Sequence, residues 1–387
     1  MGDVTFDKRH ELFPIGEQYV YLSHCGIAPL YSQALRVEHE VAQAQSRTGS
    51  LVYRRYDAIL DGLRQAAAQL LCTAADNLAF IKNTTEGIGL IAGGYQFAPG
   101  DQVISYVHEY PANYYPWKLQ ERRGVELVLL PDRDITGAAP PGLPVAWTMQ
   151  DLEALITPRT RIVSLSHVQF ASGYTADLTA LADLCREHSI DLVLDVAQSL
   201  GCVPIDVEKL GIAAAVSSGW KWLMGPMGTG LLYTSAKFRQ KLDPVLVGPE
   251  TMQQGTDYLD HTWNPLSSAK CFEYSTSPIA IAAALECCVR ELPLRYGVEA
   301  IHAEIVRLQD VFLQALDQAQ IPPLFTAAKN RSSILSLIVP DARSMCRALL
   351  KDNVICTERG GYLRIAPHFY NTEDDMERVA RLLNALV

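Results

Sequence analysis

Short β-branched and apolar runs alternate with helical patterns through the middle of the chain. Residues 103–107, 126–130, 161–166 and 190–195 have the length and composition of buried strands. A further apolar run covers residues 78–81 and leads into a helical stretch over 88–95. Between the strands, residues 112–123 and 176–188 predict helices, the second opened by Asp177 as its N-terminal cap. This alternation predicts an α/β fold, a mostly parallel sheet with helices on both faces. Ligands of such sheets sit at the carboxyl ends of the strands. Residues 131–147, rich in Pro, Gly and Asp, form the longest loop and lead to a helix near 151–156.

The C-terminal part has a different texture. Val298, Ile301, Ile305, Leu308 and Phe312 recur at spacings of three and four, one face of a long amphipathic helix that belongs to a core. Strand-like segments follow at 334–339 and 362–365. Thr372 and Asp375 give a capping-box start to a last helix. Residues 248–268 have little periodicity and read as a hinge between a large domain and this α+β domain.

Composition narrows the class. With 387 residues, 49% apolar and 20% charged, the chain is an ordinary globular protein of two to three domains, and disorder, collagen and coiled-coil arrays are excluded. The net charge of −10 argues against a nucleic-acid partner. Nine cysteines without CxxC spacing or a secretory signal favour the cytoplasm, with no metal site and no disulfide framework. Apolar stretches such as 278–285 fall short of the roughly 18 residues a membrane span needs.

Three segments carry candidate chemistry. In Ser217-Ser218-Gly219-Trp220-Lys221-Trp222-Leu223-Met224-Gly225, a single lysine sits among aromatic and small residues. Burial there would lower its pKa, and a neutral amine attacks aldehydes. The bland alternative is a lysine reaching from a loop to solvent. Asp195-Val196-Ala197-Gln198 follows a buried strand, where an acid needs a cationic partner such as a protonated pyridine nitrogen. Taken alone, an Asp capping the next turn is the better explanation. Lys82-Asn83-Thr84-Thr85-Glu86-Gly87 places hydroxyls at a helix start, an anion site suited to phosphate or an ordinary N-cap.

In this order and spacing the three segments resemble the class V aminotransferase family of fold type I pyridoxal-phosphate (PLP) enzymes. That family includes cysteine desulfurases, selenocysteine lyases, cystine C–S lyases and isopenicillin N epimerase-like proteins. The resemblance runs from Tyr21 to Thr372. It implies a large domain over 21–255 with a seven-stranded sheet, a small domain over 256–387, and a segment over 1–20 packed with the small domain. It implies PLP held by Thr84, Thr85, Tyr110, Asp195, Gln198, Ser218 and Lys221. Lys221 takes the cofactor aldehyde and moves the α-proton, Asp195 holds the pyridine nitrogen and Tyr110 stacks on the ring. Thr276 would reach the neighbouring subunit's phosphate in a homodimer, and Arg364 would clamp the substrate carboxylate. His24 and His167 are candidate substrate contacts, and Tyr110, Trp220 and Trp222 suggest an aromatic-lined pocket.

The chain departs from the desulfurase pattern at Trp220, where desulfurases carry His, at Ser275 in place of Gly, and at Ser23 in place of Asn. The span from Val354 to Arg364, which includes Cys356, is too short for the mobile loop that carries a desulfurase's persulfide cysteine. The expected reaction is therefore a C–S lyase-type β-elimination on an amino acid. Transamination is the second reading. Epimerisation is the third, with His24, His167, His368 or Tyr110 as the acid on the opposite face. A non-catalytic protein on the same fold is disfavoured, because Lys221 is intact and no DNA-binding extension is present.

Overall fold

The computed structural model describes residues 4–325 and 330–387. Its strands are β1 (Val20–Tyr21), β2 (Leu78–Ile81), β3 (Gln102–Tyr106), β4 (Glu126–Leu130), β5 (Thr160–Ser166), β6 (Asp191–Asp195), β7 (Ala214–Ser218), β8 (Gly230–Thr234), β9 (Leu335–Leu337), β10 (Val354–Ile355), β11 (Thr357–Arg359) and β12 (Tyr362–Ile365). Seven form the main sheet, in the order β2-β8-β7-β6-β5-β3-β4. β8 runs antiparallel to both its neighbours and the other pairings are parallel. The mostly parallel seven-stranded sheet is thus present.

Both faces of this sheet are covered, which is why its strands are near-continuous apolar runs. In β6, Leu192 and Leu194 point into one core and Val193 into the other. The first core takes the helices Ser32–Thr48, Tyr56–Leu71, Leu178–Glu187 and Ile279–Val289. The second takes Thr84–Gly94 and the buried Trp117 and Phe238. Helix Ile279–Val289 therefore packs with the main sheet, although it lies C-terminal to residue 255.

The α+β portion is an antiparallel sheet, β11-β12-β9. The helices Val298–Ala315, Ala342–Lys351 and Glu373–Asn384 accompany it. The stripe read from the sequence is the buried face of the first, with Ile301, Ile305, Leu308 and Phe312 fully covered. Thr372 and Asp375 form the expected capping box. The N-terminal segment joins this region. β1 pairs in parallel with β10, and the ring of Phe13 stacks on Tyr370 at 4.3 Å.

One expected helix is broken. Residues 112–123 are a 3-10 turn over Pro111–Asn113, a short helix over Tyr115–Leu119 and a second 3-10 turn over Gln120–Arg123. Pro116 has no N–H to donate to Ala112 O, so one continuous helix cannot form, and the short helix carries the proline in its first turn, where that donor is not needed.

Candidate active site

Chain order reverses beside β3, which has β4 on one side and β5 on the other. Such a switch opens a crevice at the carboxyl ends of the strands. The residues that follow β2, β3, β5, β6 and β7 all emerge at that edge. They line a cavity of about 660 Å³ that includes Thr84, Thr85, Tyr110, Asp195, Gln198, Ser218, Trp220, Lys221, Arg359 and Arg364. Cys25 and Ile27 close it from the N-terminal segment. Most of the residues singled out in the sequence therefore meet in one place.

Lys221 sits in a loop that leaves β7 and returns as β8. The loop is drawn tight. A Cβ on Gly219 would lie 2.3 Å from Thr229 Oγ1, and Gly225 N–H donates to Gly219 O at 2.8 Å. Lys221 Nζ lies 5.5 Å from the centroid of the Tyr110 ring. Burial lowers the pKa of the amine, an effect the Asp195 carboxylate opposes. Burial in turn raises the pKa of Asp195, against the charge of Lys221.

Asp195 Oδ1 accepts from Ala197 N–H at 2.9 Å, and the other oxygen has no hydrogen-bond partner among the described residues. Gln198 Nε2 donates to Cys25 O at 2.9 Å, and its Oε1 accepts from Trp222 Nε1 at 3.0 Å. One N–H of the amide remains for a ligand. Trp222 is fully buried and does not line the cavity; it holds Gln198 instead. The aromatic wall is thus Tyr110, Phe170 and Trp220.

Helix Thr84–Gly94 points its N-terminus at the cavity. Its cap, Asn83, accepts from Glu86 N–H at 2.9 Å. Ser218 Oγ is buried without a partner among the described residues. An anion at this point would find a helix N-terminus, two threonines and an orphaned hydroxyl. Buried polar atoms without partners are rare enough to mark a missing ligand. Together with the open oxygen of Asp195 and the amine of Lys221, these groups fit the phosphate, pyridine nitrogen and aldehyde of PLP.

Arg364, on β12, is fully buried. Its Nη1 donates to Phe170 O and its Nε has no partner among the described residues. Arg359, on β11, is exposed at the cavity rim and makes no ion pair among the described residues.

Three expected positions stand outside. His24 is buried between Ala366 O and the Tyr370 hydroxyl, each at 2.8 Å. Burial, reinforced by His368, holds its pKa well below the usual value. His167, at the end of β5, does not line the cavity, and burial lowers its pKa to about 3. Thr276 belongs to a separate cavity of about 270 Å³, with Lys82, Glu86 and Tyr274.

Glu109 has a role the sequence reading did not give it. It precedes Tyr110 and ties the exit of β3 to the end of β5. Its carboxylate accepts from Ser166 N–H at 2.7 Å, from the Ser166 hydroxyl and from Gln169 Nε2 at 3.0 Å. The signal was an acid at a strand end beside the expected ring-stacking residue. Burial pushes its pKa up to about 7, although the Ser166 bonds oppose this. A carboxyl whose pKa is raised by folding stabilises the fold at low pH and loses that contribution as pH rises through the folded value. Glu109→Gln removes the titration. The melting temperature of the variant minus that of the wild type should therefore rise from about pH 5 to about pH 8. Thermal melts at both pH values test this, and a constant difference would refute it.

Residues 30–379 match the family model for class V aminotransferases. The chain belongs to the class V aminotransferase family. A probable cysteine desulfurase from Methanothermobacter thermautotrophicus is 25% identical over 99% of this chain and 98% of its own length. The apo structure of a cysteine desulfurase from Thermococcus onnurineus has a TM-score of 0.86 at 20% identity, covering 100% of this chain and 99% of that one. The cystine C–S lyase C-DES, in complex with its product cysteine persulfide, also reaches 0.86, at 21% identity over 96% and 98% of the two chains. A variant of that lyase carries glycine covalently linked to its PLP cofactor. These likenesses fix the fold as type I. As a class V family member the chain is a PLP-dependent enzyme.

Proposed function

We propose that this enzyme catalyses β-elimination on a sulfur-containing amino acid, a C–S lyase reaction that uses no persulfide cysteine. The observation that carries the reading is the tight hairpin before Arg364. β11 and β12 pair with Thr357 opposite Arg364 and Arg359 opposite Tyr362, and Gly360 and Gly361 turn the chain with φ of 58° and 89°. Two glycines at positive φ suit a two-residue hairpin turn. The hairpin leaves no mobile loop to carry a sulfur-accepting thiol. Cys356 stands before β11 and does not line the cavity. Cys25 does line it, but its residue is only 2% exposed, so sulfur taken up there would be shielded from any acceptor. The likeness to C-DES, a cystine C–S lyase, supports the same reading.

In this reading Thr84, Thr85 and Ser218 hold the cofactor phosphate and Gln198 holds the ring oxygen. Tyr110 fixes the ring plane. Asp195 supplies the negative charge that keeps the pyridine nitrogen protonated. When bound, PLP supplies an electron sink for a bond breaking at the α-carbon. Arg364 takes the substrate carboxylate, for which its planar fork is suited. Lys221 accepts the α-proton and remains beside the substrate, where it can serve as the acid for the departing β-sulfur.

Epimerisation needs a second acid opposite Lys221. Of the four candidates, His24 and His167 stay outside the cavity lining, as does His368, whose pKa burial lowers to about 4; Tyr110 lines the cavity, where in this reading it is taken up by stacking on the ring. Exposed apolar side chains at Tyr258, Leu259 and Trp263 support a homodimer, in which Thr276 would serve the partner's site. The test is a product assay with cysteine and cystine. Pyruvate and ammonia formed in equal amounts, together with sulfide from cysteine or cysteine persulfide from cystine, support elimination. A keto acid retaining the sulfur, with conversion of the cofactor to its pyridoxamine form, would replace it with transamination.

A further inference from the structure

Cys356 is the single residue between β10 and β11, and Cys346 lies on helix Ala342–Lys351. The Cys356 thiol donates to Cys346 Sγ at 3.5 Å. Both residues are half-buried, so a small reagent can reach the pair. No other two cysteine sulfurs are hydrogen-bonded to each other among the described residues. This pair plays no part in the elimination reading, yet it adjoins the hairpin that carries both cavity arginines. Thr357, the next residue, pairs with Arg364 in register, and its hydroxyl bonds the Ser23 hydroxyl.

We propose that Cys346 and Cys356 are a reversible disulfide site, oxidised by exchange with a low-molecular-weight disulfide, and that this bond controls the arginine-bearing hairpin. In the first step the Cys346 thiolate attacks one sulfur of the small disulfide. A mixed disulfide forms, and one small thiol leaves with the proton that Cys346 gave up. In the second step Cys356 attacks the Cys346 sulfur of the mixed disulfide. The protein disulfide forms, and the second small thiol leaves with the proton of Cys356. Two protein thiols are oxidised, and one small disulfide is reduced to two thiols.

The order of attack follows from the hydrogen bond. It lowers the pKa of the Cys346 thiol and raises that of Cys356, so Cys346 is the thiolate that reacts first. Closing the sulfurs from 3.5 Å to a bond of about 2.05 Å draws residue 356 toward the helix. The displacement passes to Thr357 and across the β11–β12 ladder to Arg364. The oxidised enzyme should therefore lose substrate affinity before it loses turnover.

The full-length holoenzyme is treated with oxidised glutathione and digested with trypsin. The expected product is a disulfide joining the peptides 344–347 and 352–359. KM for the amino acid is expected to rise by about threefold or more with little change in kcat, and dithiothreitol should reverse both changes. In Cys356→Ser, Cys346 should keep glutathione as a stable mixed disulfide, and turnover of the reduced variant should match the wild type. Four results would overturn the proposal: glutathione remaining on Cys346 in the wild type, a disulfide elsewhere, no reaction, or a disulfide at this site with KM unchanged. The peptide map is independent of which reaction the cavity performs, so failure of the elimination assay leaves this test intact.

Discussion

Lys221→Ala is expected to lower turnover by roughly four orders of magnitude, the upper end of what a positioned acid–base group contributes. It is also expected to remove the visible absorption of the cofactor bonded to its lysine. The loss is large because in the proposed reading one amine does two jobs. Among the described residues it is the single lysine lining the cavity, and the two arginines beside it cannot give up a proton at neutral pH. Its depressed pKa, due first to burial, makes the attacking neutral form accessible. The fold should survive, because alanine removes a buried charge and no hydrogen bond of the Lys221 side chain is lost among the described residues. Absorption spectra, circular dichroism and product release on the same preparations decide the matter. Turnover within tenfold of wild type would remove Lys221 from the centre of the site.

How far the sequence carried the site depended on which physical signal each residue left. β3, β5 and β6 were legible because both faces are buried, and β4, a half-buried edge strand, because it keeps an apolar run between polar turns. β7 left no such signal. Its residues are Ala214, Ala215, Val216, Ser217 and Ser218, small because helix Thr84–Gly94 lies close above. A Cβ on Gly87 would come within 2.4 Å of Val216 Cγ1. The presence of that strand followed from the family resemblance, and its residue types are explained only by the packing. Asp195 and the Thr84–Thr85 turn were legible because reactive groups stood where apolar strands end, and Lys221 because it is a lone lysine among aromatic and small residues. Trp222 and His24 were drawn into the site by their chemistry, and packing places both behind it. An aromatic or imidazole in sequence does not reveal which face of the wall it occupies. Glu109 went unread because its partners, Ser166 and Gln169, are brought to it by the adjacency of β3 and β5. Arg359 was passed over for the same reason, since only the hairpin places it on the cavity beside Arg364.

Asp195→Asn is expected to cost roughly two to three orders of magnitude in turnover, the range for removing one electrostatic contact in an enclosed site. The substitution keeps the shape and the oxygen that accepts from Ala197 N–H. It removes the negative charge. A neutral amide does not hold a pyridine nitrogen in its protonated form, so electron withdrawal from the α-carbon weakens while cofactor binding through Thr84, Thr85 and Ser218 persists. Two further measurements separate this from misfolding. Asp195 opposes the burial effect on Lys221, so its removal lowers the amine pKa further. The acidic limb of cofactor uptake by the apoprotein should then move to lower pH. Burial raises the Asp195 pKa, so the ionised group loses stabilisation as pH rises, and the variant should melt no lower than the wild type at neutral pH. A variant that melts well below wild type would place Asp195 in the structure rather than in the chemistry. Turnover near wild type would show that the pyridine nitrogen does not depend on its charge.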